Sequence, residues 1–97
     1  MSLRGDPVIH LARLPDGGEV EVRVGVPEDS YVPRKLLDTV TLELGRAGRH
    51  LGALTTLLRP DQEHEAHELA HEVVRQLEAG EVEPTHPGEF ERLPWVA

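Results

Sequence analysis

The residues His67-Glu68-Leu69-Ala70-His71 are the part of this 97-residue chain whose types and spacing could do chemistry. Two imidazoles four positions apart on a helix stand one turn from each other, the separation at which both can reach one zinc ion. A carboxylate between them can serve as general base toward water on that ion. A third imidazole, His64, precedes them. At about 100° per residue, His64, His67 and His71 fall within roughly 60° of one another, on an arc about 120° from the centre of the segment's apolar stripe. The imidazoles therefore flank the core without entering it. His64, His67 and His71 are the candidate metal ligands, Glu68 is the catalytic group if hydrolysis follows, and zinc or another divalent transition metal such as nickel or copper is the ion that suits them.

The pentapeptide resembles the active-site helix of the zincin metallopeptidases, a likeness that covers those five residues and implies a zinc-dependent hydrolase. In that family the position after the second histidine and the one two before the first are usually uncharged, because the helix is packed on both sides of the metal. Here they are Glu72 and Glu65. A third ligand would have to come from His86, Glu81 or Glu89, none of which lies in a second motif. Composition also competes with chemistry, since four of the ten residues over 63–72 are Glu and three are His. The residues favour a solvated helix face that needs no cofactor, with the metal site as the alternative. His10, on a strand of mixed pattern, is the histidine expected to be partly covered.

The element that must carry these side chains is a helix over 61–78. Pro60 suits its first turn, Asp61 and Glu63 suit its positive end, and Gly80 suits its exit. Ala66, Leu69, Ala70, Val73, Val74 and Leu77 form the stripe that faces the core. Upstream, segments 8–14 and 19–26 flank Pro15-Asp16-Gly17-Gly18 and predict a β-hairpin. Val20, Val22, Val24 and Val26 alternate with Glu19, Glu21 and Arg23, the period of a strand with one buried face. A loop follows over 27–33.

Residues 34–58 admit two readings. Leu37, Val40, Leu44, Ala47, Leu51, Leu54 and Leu58 step by three and four, as on one long helix, which would make the fold a β-hairpin plus an αα-hairpin. Gly45, Gly48 and Gly52 oppose this at about 1 kcal/mol each, and the run over 39–44 alternates with β-branched residues. We therefore expect a short helical turn at 34–37, a strand at 39–45, a turn at 46–48 and a strand at 49–58.

Composition narrows the function. The 18 acidic against 10 basic residues give a formal charge of −8, which repels phosphate backbones and argues against nucleic-acid binding. There is no cysteine, which removes thiolate metal sites, disulfides and cysteine nucleophiles and suits a reducing cytosol. No apolar leader and no run of eighteen apolar residues is readable, so no membrane is expected and a soluble cytoplasmic protein is.

The fold class expected is α+β, a small antiparallel sheet of about four strands with one long C-terminal amphipathic helix across one face. Residues 1–80 form the domain, and 81–97 form an extended, proline-containing tail. One helix covers about half of such a sheet, and segments 8–14 and 49–58 carry apolar residues on both faces. A second face must then be covered. This predicts a non-enzymatic interaction module, a homodimer or an accessory subunit binding another protein, with Phe90, Leu93, Trp95, Leu54 and Leu58 as its contact residues. The element order and Thr85-His86 are also similar to small actinobacterial stress proteins built from a short sheet and a helix, a likeness that implies no activity.

Overall fold

The computed structural model describes residues 3, 6–26 and 39–96. The helical turn expected at 34–37 and the loop at 27–33 lie outside them. Four antiparallel strands form one sheet in the order of the chain: β1 (Val8–Arg13), β2 (Glu19–Gly25), β3 (Thr41–Arg46) and β4 (Arg49–Thr55). One helix, α1 (Glu63–Glu78), lies on β1 and β2, and a 3-10 helix (Pro87–Arg92) lies against β4. The fold is the expected α+β sheet and helix, and the middle segment is a hairpin.

Turn chemistry explains the hairpins. Between β1 and β2 the Leu14 N–H donates to the Gly18 carbonyl at 2.7 Å, and Gly17 takes a φ of 91°. This is a three-residue loop whose last position needs the left-handed region. Between β3 and β4, Ala47 and Gly48 both have positive φ, 52° and 78°. That pair of values matches the tight turn whose twist suits the strands on either side. Gly48, which would weaken a helix interior, instead makes the hairpin possible.

Register assigns the two faces. Val8, His10 and Ala12 stand opposite Val24, Val22 and Val20, and Val24 and Val22 in turn stand opposite Leu42 and Leu44. These residues share the face under α1, where Ala66, Leu69, Ala70, Val73 and Leu77 meet them in the core. Among the described residues the opposite face is uncovered and mostly charged: Arg23 stands opposite Ile9 and Glu43, and Glu21 opposite Leu11 and Gly45. A β-bulge between Leu44 and Gly45 leaves Leu51 as the extra residue of β4, and Leu51 packs against the core.

The C-terminal segment differs from the extended tail that its prolines predict. It coils through the 3-10 helix, buries Phe90 completely, and returns to pair Val96 with Thr56. The half of the sheet that α1 leaves bare is thus covered by the chain itself. Gly52 permits this closure, because a Cβ there would stand 2.5 Å from Pro87 Cγ.

α1 starts two residues later than its sequence predicts. Pro60 and Asp61 form a turn before it, closed by the Arg59 N–H donating to Gln62 Oε1 at 2.8 Å. Its end is the expected one: Gly80 adopts a φ of 73°, and the Gly80 and Glu81 N–H groups donate to the carbonyls of Leu77 and Gln76. That pair of bonds satisfies carbonyls the helix itself leaves open.

Candidate functional site

The imidazoles come from two elements. β1 places His10 on the helix-facing side of the sheet at its outer edge, and α1 sets His67 and His71 on the flank above that edge. His10 Nε2 lies 3.5 Å from His67 Nδ1. The ring centres of His10 and His67 are 5.7 Å apart in an edge-to-face arrangement, and those of His10 and His71 are 5.0 Å apart. His10 is half-buried, whereas His67 and His71 are exposed. The pKa of His10 is lowered by that burial first, then by the neighbouring His71 and His67, so the cluster favours a neutral His10 imidazole.

The sequence-predicted set is regrouped. His64 is not in the cluster: its Nε2 stands 2.9 Å from Glu68 Oε1, one turn along the same helix. Glu68 is half-exposed and engaged in that contact. His64, His67, Glu68, His71, Arg75 and Trp95 border a shallow surface depression of about 670 Å³, open to solvent and without the enclosing walls of a peptidase cleft. Among the described residues, no group of three His, Asp or Glu side chains stands in place to hold a metal ion. His86, the possible downstream ligand, faces Glu83 at 3.6 Å.

The partner-contact candidates sit on the core side. Phe90 and Leu58 are buried, and Leu54, Leu93 and Trp95 are half-buried against the same core. Phe90 and Leu58 therefore supply the interior of this chain and present no docking surface. Among the described residues, the large apolar side chains left exposed are Ile9 (51 %), Leu11 (63 %) and Leu57 (64 %). Ile9 and Leu11 share the open face of β1.

A polar clasp that the sequence hides joins the C-terminal segment to α1. Gln76, buried within the apolar stripe, donates to Glu72 Oε1 at 2.9 Å and accepts from Arg92 at 3.1 Å. Arg75 also donates to Glu72, at 2.7 Å. These hydrogen bonds, from Arg75 and then Gln76, outweigh partial burial and hold the Glu72 carboxyl down to about 2. A long polar residue on a core-facing position is the one sequence signal for this clasp. On the open face, a second concavity of about 440 Å³ is bordered by Leu11, Glu21, Arg23, Glu43 and His50.

Among the described residues no helix is long and apolar enough to cross a membrane. Comparison with protein-family models, curated proteins and solved structures finds no match.

Proposed function

We propose that the protein is a non-enzymatic association module that pairs with a second copy of itself along the outer edge of β1. The observation that carries this reading is an edge strand whose outer side, among the described residues, pairs with no other strand, with two exposed aliphatic side chains, Ile9 and Leu11, beside an otherwise charged face. Hydrogen-bonded pairs alternate along an antiparallel ladder. Starting from the Leu14 to Gly18 bond, the N–H groups of Ile9, Leu11 and Arg13 point away from β2. Arg13 fits this parity, since its N–H donates outward to Glu78 Oε2 at 3.1 Å.

Natural sheets guard such edges with Lys, Pro or a bulge. The strand VIHLAR has none of these before its final Arg13. Antiparallel pairing about His10 is also self-complementary, because it sets Ile9 of each copy opposite Leu11 of the other, both residues having the outward parity that pairing requires. A cytoplasmic location, which the lack of cysteine supports, belongs to the same proposal.

Sedimentation equilibrium tests this. The wild-type chain is expected at twice its monomer mass, and Leu11→Arg at monomer mass with an unchanged circular dichroism spectrum, because two guanidinium groups would then flank the shared ladder. A wild-type chain that stays monomeric at high micromolar concentration overturns the proposal.

A further inference from the structure

We propose that His10, His67 and His71 form a three-imidazole site for one divalent transition ion of the zinc, nickel or copper kind. This site is independent of the association proposal, and it replaces His64 of the helix-only set with a residue from the sheet.

The spacing supports it. Two nitrogens bound to a tetrahedral ion at about 2.0–2.1 Å stand about 3.4 Å from each other. His10 Nε2 and His67 Nδ1 are 3.5 Å apart. The centre of each ring lies about 1.1 Å behind its nitrogen, so two rings on one such ion have centres about 5.2 Å apart. The observed separations from His10, 5.7 Å to His67 and 5.0 Å to His71, bracket that value. The His10–His67 contact, a ring-to-ring hydrogen bond here, already has its nitrogens at ligand separation; an ion would replace that hydrogen bond as both rings turn their lone pairs to it, and the third ring is near enough to join by rotation about its own side-chain bonds. His71 is free to make that rotation because it is exposed.

The donor set chooses the ion. Imidazole nitrogens suit zinc, nickel and copper, whereas calcium and magnesium require oxygen. Three protein ligands leave the fourth position to water, on the solvent side. The formal charge of −8 raises the local concentration of cations of any kind, but only the imidazoles discriminate among them. Because His10 belongs to β1 and the other two belong to α1, the ion would clamp the helix to the edge of the sheet. Binding to the folded state alone would then raise the melting temperature.

The experiment uses the full chain without an affinity tag. Cobalt(II) is titrated while the visible absorption of four-coordinate cobalt is followed, and zinc is used to displace it. One ion per chain is expected, with His10→Ala and His71→Ala each weakening binding by about tenfold or more. His50→Ala and His86→Ala should change affinity by less than about twofold, and so should His64→Ala, which separates this site from one built on the helix alone. Long-range nitrogen-15 spectra should show zinc shifting the ring nitrogens of three histidines, those at 10, 67 and 71. His71→Ala alters an exposed position, and an unchanged circular dichroism spectrum checks that its effect does not come from misfolding. Retention of wild-type affinity by both His10→Ala and His71→Ala overturns the proposal. So does an equal small loss for every histidine removed, which would mean adventitious surface binding.

Discussion

His64 and Glu72 have the same reason for their behaviour: each is decided by a neighbour one helical turn away. His64 shares its arc with His67 and His71, yet its imidazole meets Glu68 and leaves the cluster. Glu72 accepts from Arg75 and Gln76, and its carboxyl is held down to about 2 from an ordinary 4.5. A carboxyl depressed in the folded state contributes stability that is fully present above about 4.5 and is lost as pH falls toward 2. Solvent screens this partly exposed pair, so the effect is small. Glu72→Gln should therefore lower the neutral plateau of the stability curve slightly and flatten its acid limb between those values by the same amount, the two curves meeting near pH 2, as measured by urea unfolding across pH in chelator-treated protein. An acid limb as steep as the wild type would mean that Glu72 titrates as an ordinary surface carboxylate. Spacing on one helix is visible in the sequence, but His10 is 57 positions from His67. No local pattern joins those two.

At the scale of elements, β3 and β4 show why a heptad-like stripe can mislead. Leu44, Leu51, Leu54 and Leu58 step as on a helix, but the bulge at Leu44 and Gly45 and the half-turn at Ala47-Gly48 bring the same leucines to the core from strands and a turn. The three glycines carried the decision, because each costs a helix about 1 kcal/mol and each has a place in a hairpin. Gly52 has a further use that strand periodicity does not show: it is where the 3-10 helix seats. Gly52→Ala puts a methyl group 2.5 Å from Pro87 Cγ. Moving the proline ring or the strand should cost about 1–3 kcal/mol, read as a lower urea midpoint. A midpoint unchanged from wild type would mean that the C-terminal segment does not sit on β4.

For the whole molecule, the covering of the sheet is the main lesson. α1 shields β1 and β2, while Val82, Phe90 and Val96 from the C-terminal segment complete the core of the same face. Phe90 is completely buried, so Phe90→Ala should lower stability by about 3–5 kcal/mol, a large part of the total for a small domain. Thermal unfolding checks this, and a loss under about 1 kcal/mol would show the segment to be a dispensable appendage. The sequence by itself determined the first hairpin, the helix and its apolar stripe, and favoured a second hairpin over a long helix, because period, glycine position and capping are local properties. Tertiary structure alone decided that Phe90 and Leu58 serve this chain's own interior and that Ile9 and Leu11 remain outside. It also decided that a sheet histidine, in place of His64, meets the imidazoles of α1. Those outcomes depend on which distant segments share a surface, and that is fixed only when the chain closes around one core.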